Sequence, residues 1–148
     1  MKIRPITKED TAKLVKLMYE ADNKEEDWAR EMINKFLSNK GWELFVAEDK
    51  EFLGFAGVKS KHIVDEARDI LGDIIDTYSY LAYMAVHPEY RKQGIARQLV
   101  IKCEDWSKEL NKPGVWTECK DHLVEFYGKL GYIKKGSYGY RNVLVKKF

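Results

Sequence analysis

The spacing of hydrophobic positions predicts an alternation of strands and helices along the first part of the chain. A short strand at residues 2–5 precedes a helix over residues 7–21, which Thr7 can cap, and a second helix over residues 26–37. Strand-forming residues follow at positions 42–48 and 52–58, with a hairpin turn between them. The predicted order of this part is therefore strand, helix, helix, strand, strand.

The segment over residues 62–76 is open to two interpretations. Its apolar positions, from Ile63 to Ile75, follow helical spacing, and Gly72 is a weak point in such a helix. The rival interpretation is a long twisted hairpin. We expect the helix, because the helical spacing is followed closely.

The rest of the chain predicts a strand at residues 77–86, a helix at 94–110 and a strand at 115–119. Asp121 is predicted to cap a helix that ends at Gly131. Residues 133–135 and 140–146 are predicted to form a hairpin around Gly136 and Gly139. The order βααββ(α)βαβαββ indicates an α/β domain with a mixed (α+β) sheet. Its strands on either side of the 94–110 helix are expected to be parallel.

Size and composition limit the class of protein. A chain of 148 residues predicts a single domain over residues 1–148, and a net charge of +2 argues against a nucleic-acid or membrane surface. The Lys134–Lys135 and Lys146–Lys147 pairs are expected to be solvated edge charges. Cys103 and Cys119 are too few for a disulfide framework or a zinc site, so buried thiols in a reducing compartment are expected. No signal peptide or membrane-spanning run is seen, which predicts a cytoplasmic location.

The junction of a strand and a helix at residues 86–96 carries a chemical signal. The basic pair Arg91 and Lys92 is followed by Gln93 and Gly94, after which the helix begins. Amides at a helix N-terminus lack intrahelical acceptors, so those from about Lys92 to Arg97 indicate a site for a phosphate or pyrophosphate. Gly94 would let the backbone approach that anion. The alternative is an ordinary turn with solvated basic residues.

This junction resembles motif A of the GCN5-related N-acetyltransferases, the GNAT family, which reads Arg/Gln-x-x-Gly-x-Gly/Ala after a strand. Arg91, Gly94 and Ala96 fill the pattern, and residues 125–132 (EFYGKLGY) resemble the family's second motif, commonly FYxKLGF. The resemblance implies a GNAT-like acyl-CoA N-acyltransferase fold, acetyl-CoA as co-substrate and no metal. The cofactor-binding residues it implies are Met84, Ala85 and Val86, through their backbone and the pantetheine arm, and Arg91, Lys92, Gln93, Gly94, Ile95, Ala96 and Arg97, at the pyrophosphate.

The second motif implies a role for Tyr127. By that match its phenol would donate a proton to the departing thiolate, and a reference pKa near ~10 suits a donor at neutral pH. The alternative is an aromatic residue on the buried face of a helix. Many family members carry Asn seven residues earlier, where this chain has Lys120. A shorter-loop variant of the family matches residues 119–122 instead, including His122.

A general base is needed because an amine is an ammonium at neutral pH. Glu118, near the end of a predicted strand, is the first choice, and His122 is the second because imidazole titrates near neutrality. Glu118 can equally be a solvent-facing strand residue and His122 a residue that bonds the backbone at a helix start. A water relay to a main-chain carbonyl would need neither side chain.

An acidic and aromatic segment suggests how an acceptor amine is recognised. Five carboxylates between Asp65 and Asp76 lie in the sequence close to Tyr78, Tyr80 and Tyr83, and both group types favour a cation. The alternative is the solvated face of an amphipathic helix. Trp28 and Trp42 can wall the same cleft or fill the core.

Two functions fit the sequence. The first is an N-acetyltransferase that moves acetyl from acetyl-CoA to a primary amine by direct attack in a ternary complex, with a small-molecule or peptide acceptor. A ping-pong route through Cys119 and His122 is a minor option. The second is a non-catalytic acyl-CoA-binding sensor or interaction module. The strand at residues 140–146, if it is an edge, offers a surface for a homodimer.

Overall fold

The computed structural model describes residues 1–148, the whole chain. The strands are β1 Lys2–Pro5, β2 Trp42–Glu48, β3 Phe52–Lys59, β4 Ser79–Val86, β5 Gly114–Cys119, β6 Ile133–Tyr138 and β7 Arg141–Lys147. The α-helices are α1 Thr11–Asp22, α2 Glu26–Ser38, α3 Asp65–Leu71, α4 Ile74–Thr77, α5 Ile95–Glu109 and α6 Val124–Lys129. Short 3₁₀ turns precede α1, α5 and α6. The predicted order of elements is confirmed.

The strands form a seven-stranded mixed sheet in the order β1-β2-β3-β4-β5-β7-β6. β4 and β5 pair in parallel, as predicted, with Ser79 opposite Val115 and Leu81 opposite Thr117. β1 with β2, β5 with β7, and β6 with β7 are antiparallel. The α/β fold class inferred from the sequence is therefore confirmed. None of the helices combines the length and apolarity needed to cross a bilayer.

The chain divides into two compact units, and the first comprises residues 1–58 and 83–103. In α1 the residues at helical spacing, Leu14, Leu17 and Met18, are buried, as the sequence pattern predicts. β3 is buried along its whole length. A Cβ at Gly57 would lie 2.7 Å from the ring of Phe36, so α2 packs on β3 at a distance that only glycine allows. This tight packing fixes β3, the sheet neighbour of β4, which is the strand that leads into the predicted anion-binding turn.

The second unit comprises residues 59–82 and 104–148. Its core has Trp116 of β5 at its centre, fully buried beside Tyr80 and the apolar face of α3. Truncating such a ring to alanine costs about 3–5 kcal/mol, because the cavity adds to the lost burial. Cys119 lies at the end of the same strand and, like Cys103 of the first unit, is a buried free thiol, as predicted.

The segment over residues 62–76 is helical, and the hairpin interpretation is wrong. It forms α3 and α4, which are separated at Gly72, where φ is +58°. Glycine adopts that angle without the steric penalty that a side chain would meet. The weak point predicted in the helix is thus an actual break.

Three local predictions at the C-terminal end are wrong. Lys120, not Asp121, occupies the cap position of the turn before α6, and the Asp121 carboxylate instead accepts a hydrogen bond from Asn142. β7 lies between β5 and β6, so the strand at residues 140–146 is not an edge and offers no pairing surface for a homodimer. Lys146 is not a solvated charge, because its Nζ donates to Glu104 at 3.0 Å. Gly131, with φ +96°, does end α6 as predicted.

Candidate active site

The turn between β4 and α5 is shaped by two residues with positive φ. Lys92 has φ +64° and Gly94 has φ +81°. The first backbone hydrogen bond of α5 runs from Gln98 N to Gly94 O at 3.1 Å, so the amides of the three residues between them have no acceptor within the helix. A Cβ at Gly94 would meet no atom within 4 Å. The turn therefore presents free amides beside open space, as an anion site requires.

The basic residues of this turn behave differently from each other. Both residues are exposed, but the guanidinium of Arg91 is bound to the backbone. Arg91 Nε donates to Val86 O at 3.0 Å, and Nη2 donates to Ala21 O at 3.1 Å. Lys92 thus leaves a cation at the turn, while Arg91 links the turn to the end of α1.

The strand positions Met84, Ala85 and Val86 form the last part of β4. The parallel ladder with β5 pairs Ser79, Tyr80 and Leu81, all of which precede Met84. On the β3 side the backbone is close, because a Cβ at Gly54 would lie 2.9 Å from Ala85 O. The chain leaving Val86 is also fixed to β3, since His87 N donates to Leu53 O at 2.8 Å.

Tyr127 lies in the second unit, on α6, with its residue 4% exposed. Its ring meets those of Phe126 and Tyr132 edge-on, with centroid distances of 5.0 and 5.3 Å. Tyr132 is itself fixed, because its hydroxyl donates to the buried carboxylate of Glu104 at 2.8 Å. The ring of Tyr127 is therefore held in one orientation by aromatic neighbours.

Glu118 is covered by its neighbours, and its side chain is only 4% exposed. Oε1 accepts a hydrogen bond from Tyr80 OH at 3.0 Å and lies 3.6 Å from Arg141 Nη1, while Oε2 is buried without a hydrogen-bond partner. Burial raises the pKa of Glu118 above its usual range, although the Tyr80 bond and the Arg141 charge act in the opposite direction. A carboxylate with a raised pKa is a better proton acceptor, and one of its oxygens has unused capacity.

A stack of rings lies beside this carboxylate. The imidazole of His62 is 4.3 Å from the ring of Tyr80 with an interplanar angle of 22°, and Tyr80 also meets Trp116 at 4.5 Å. Burial, assisted by the charge of Lys59, lowers the pKa of His62 to about 4. His62 is therefore neutral at physiological pH.

His122 and Cys119 occupy contrasting positions near the start of α6. His122 is exposed and, with Lys120, Asp121 and Tyr140, lines an open depression of the surface. Cys119 is buried, and burial followed by the charge of Asp121 raises the pKa of its thiol. A thiol of this kind is a poor nucleophile because its thiolate is disfavoured.

Known proteins share both the sequence pattern and the fold of this chain. The sequence profile of the acetyltransferase (GNAT) family matches residues 9–132. The chain belongs to this family. No curated protein sequence matches it.

Solved GNAT structures share the fold at low sequence identity. PaiA N-acetyltransferase from Thermoplasma acidophilum, in complex with coenzyme A, has a TM-score of 0.75 at 19% identity, with 99% of this chain and 98% of that chain covered. Naa20 from Chaetomium thermophilum, in complex with a bisubstrate analogue, has a TM-score of 0.70 at 19% identity, with 100% of this chain and 87% of that chain covered. An aminoglycoside antibiotic 6'-N-acetyltransferase from Acinetobacter haemolyticus has a TM-score of 0.78 at 16% identity, with 95% of this chain and 96% of that chain covered.

The residues of the acidic and aromatic segment have different surroundings in this GNAT chain. Asp76 makes a two-pronged ion pair with Arg68, with both distances 2.9 Å, and Tyr78 and Tyr80 are buried in the core of the second unit. Tyr83 belongs to the first unit, where its ring meets that of Trp28 edge-on at 5.6 Å. Trp42 packs against Phe36 at 5.3 Å in the same unit. Each of these side chains is thus engaged within its own unit, and the role of the segment in acceptor recognition stays a prediction.

Sequence reasoning missed two of the groups around Glu118. Arg141 comes from β7, where Val143 lies opposite Glu118 in the antiparallel register. His62 comes from the loop after β3. Neither residue is part of a recognisable motif, so only the strand pairing and the ring stack reveal them. The sequence predicts a role only for the aromatic ring of Tyr80, whereas in the structure its hydroxyl also donates a hydrogen bond to the candidate base, Glu118.

Proposed function

We propose that this protein is an N-acetyltransferase that moves an acetyl group from acetyl-coenzyme A to a primary amine by direct attack in a ternary complex. Membership of the GNAT family supports acyl transfer. The observation that carries the proposal is the turn before α5, in which Gly94 leaves free amides beside open space. We also propose that residues 1–148 act as one acetyltransferase domain, since the family match includes parts of both compact units.

The turn fits the pyrophosphate of coenzyme A. The amides from Lys92 to Arg97 donate hydrogen bonds to phosphate oxygens, and the start of α5 adds the positive end of its dipole. Lys92 supplies a mobile cation, and the backbone of Met84, Ala85 and Val86 pairs with the pantetheine arm as an added strand would. A cofactor-bound fold relative, the PaiA enzyme with coenzyme A, supports this assignment.

Tyr127 and Glu118 supply the proton transfers. When bound, acetyl-coenzyme A provides the activated acetyl group. Glu118, directly or through one water molecule, takes a proton from the acceptor ammonium, and its raised pKa suits that task. Tyr127 donates its phenolic proton to the departing sulfur as the new C–N bond forms and the C–S bond breaks, and the second proton that the nitrogen loses restores the phenol. Of the two side chains considered as bases, Glu118 is favoured over His122 because it is fixed and has an unused oxygen.

The acceptor is a primary amine of a small molecule or a peptide. One fold relative is an aminoglycoside antibiotic 6'-N-acetyltransferase, which supports a small-molecule acceptor, and another carries a bisubstrate analogue, which supports binding of both substrates together. The chain has no large excess of either charge, with a net charge of +2, so a strongly charged polymer is not favoured as the acceptor.

Calorimetric titration with acetyl-coenzyme A, followed by a thiol-release assay with a panel of amines, tests the proposal. We expect one-to-one binding in the micromolar range and thiol release with at least one amine. Binding without release by any small amine or peptide would favour the alternative, an acyl-CoA sensor. A folded protein that does not bind acetyl-coenzyme A would overturn the assignment of the turn.

A further inference from the structure

The side chain of Arg91 is held by two backbone oxygens from different elements. Val86, which accepts from Nε, is the last residue of β4, and Ala21, which accepts from Nη2, lies in the last turn of α1. One planar guanidinium therefore joins the start of the anion-binding turn to the end of a helix far away in sequence. A lysine cannot reproduce this pair of bonds, because its ammonium lacks the fixed fork.

A second link joins the same two segments. Nδ1 of His87 accepts a hydrogen bond from Glu89 N at 3.2 Å, which in the neutral ring places the proton on Nε2. Nε2 then donates to Glu20 Oε2 at 2.5 Å. Glu20 directly precedes Ala21, so both links end in the last turn of α1.

The turn needs such support because its backbone is strained. Lys92 has φ +64°, an angle that is sterically unfavourable for a residue with a side chain. A conformation of this kind persists only where the surrounding structure fixes it. Holding the turn in place before the ligand arrives lowers the ordering cost of binding.

We propose that Arg91 is a positioning residue for coenzyme A binding, acting through the carbonyl oxygens of Val86 and Ala21 rather than as a charge beside the pyrophosphate. This rests on the proposed function, because it assumes that the turn binds the cofactor. In this proposal the two basic residues have different roles: Arg91 supports the turn, and Lys92 is the cation that faces solvent. The end of α1 becomes part of the machinery that shapes the cofactor site.

Calorimetry at several salt concentrations separates a support from a charge. We expect Arg91→Lys, which keeps the charge, to weaken acetyl-coenzyme A binding roughly tenfold, the size expected for two lost hydrogen bonds, with an unchanged salt dependence. Lys92→Ala is expected to reduce the salt dependence, because it removes a cation that acts through solvent. Arg30→Lys on α2, whose arginine pairs with Glu26 on the surface, is the matched control and should bind as wild type does.

Hydrogen exchange of the ligand-free protein provides an independent measurement. The amides of Tyr90 and Gln98, which are hydrogen-bonded at the two ends of the turn, are expected to exchange several-fold faster in Arg91→Lys than in wild type, and at the wild-type rate in Arg30→Lys. Wild-type affinity in Arg91→Lys, or a salt dependence in Arg91→Ala reduced as in Lys92→Ala, would overturn the proposal. Unchanged exchange would do so as well. If the wild type does not bind acetyl-coenzyme A, the proposed function fails, whereas the exchange rates still decide whether Arg91 supports the turn.

Discussion

At the scale of single residues, Tyr127→Phe removes the hydroxyl of Tyr127 and keeps its ring. The ring lies between those of Phe126 and Tyr132, and these contacts do not require the hydroxyl. We expect Tyr127→Phe to lower kcat at least ~10-fold, the size of a lost proton donor, with the Kd for acetyl-coenzyme A within about twofold of wild type. Stopped-flow thiol release and calorimetry measure the two quantities. Tyr19→Phe, at a tyrosine that is 62% exposed, is the control; equal turnover in all three proteins would remove Tyr127 from the mechanism.

Glu118 should appear in the pH profile of the enzyme. A base works only when unprotonated, so kcat/KM is expected to fall as the pH drops through the pKa of Glu118, which burial places above the usual value for a glutamate. Glu118→Gln should remove that limb and lower kcat/KM near neutrality about 100-fold. Glu125→Gln, at an exposed carboxylate on α6, should leave the profile unchanged. A limb that persists in Glu118→Gln would assign the base to another group, with His122 next in order.

His62 predicts a pH dependence of stability. Its pKa in the folded protein is about 4, below the ordinary value of 6.5, because burial disfavours the charged ring. The unfolded chain therefore takes up a proton at higher pH than the folded chain, and His62 makes stability fall as the pH drops from about 6.5 to about 4.

Urea unfolding at several pH values measures this dependence. His62→Gln should show a shallower loss of unfolding free energy between pH 6.5 and pH 4 than wild type does. His122→Gln, which changes an exposed histidine, is the control. Parallel curves for wild type and His62→Gln would show that the ring is as solvated in the folded protein as in the unfolded chain.

At the scale of elements, the bounds of α5 follow from local signals, whereas the neighbours of β7 do not. The helix predicted over residues 94–110 is observed as Ile95–Glu109, because apolar spacing and a glycine turn are both readable in one segment. The place of β7 between β5 and β6 depends on the pairing of three strands. The sequence of a single strand does not show which strands it pairs with, so the local pattern predicted β7 at an edge of the sheet.

The turn before α5 makes its own prediction. We expect Gly94→Glu to abolish detectable binding of acetyl-coenzyme A, because a side chain and a negative charge would enter the space beside the amides. Gly139→Glu is a closely matched control, since Gly139 also has positive φ, +55°, and also faces open space. Calorimetry measures binding, and circular dichroism establishes that both variants fold. Wild-type affinity in a folded Gly94→Glu protein would contradict the assignment.

At the scale of the whole molecule, the reaction is expected to need both substrates bound together. The one thiol next to a candidate base in sequence, Cys119, is buried and has a raised pKa, which disfavours an acetylated enzyme. Initial-rate plots should therefore intersect rather than run parallel, and Cys119→Ala should keep kcat within about twofold of wild type. Parallel plots, or an acetylated Cys119 detected by mass spectrometry, would establish a ping-pong route.

The sequence by itself determined the order of elements, the fold class, the glycine turn and the family, because each is carried by spacing or by residues close together in the chain. It predicted Arg91, Gly94, Glu118 and Tyr127 as candidate site residues, by motif or by position on a strand.

Only the tertiary structure decided what these residues touch. Arg91 donates a hydrogen bond to Ala21 O, and Asp76 pairs with Arg68. Glu118 accepts a hydrogen bond from Tyr80 and lies beside Arg141. The longest of these links join positions tens of residues apart, through helix ends and strand registers that follow from packing. A periodicity shows which face of an element is buried, but the partner across that face is chosen by the fold as a whole.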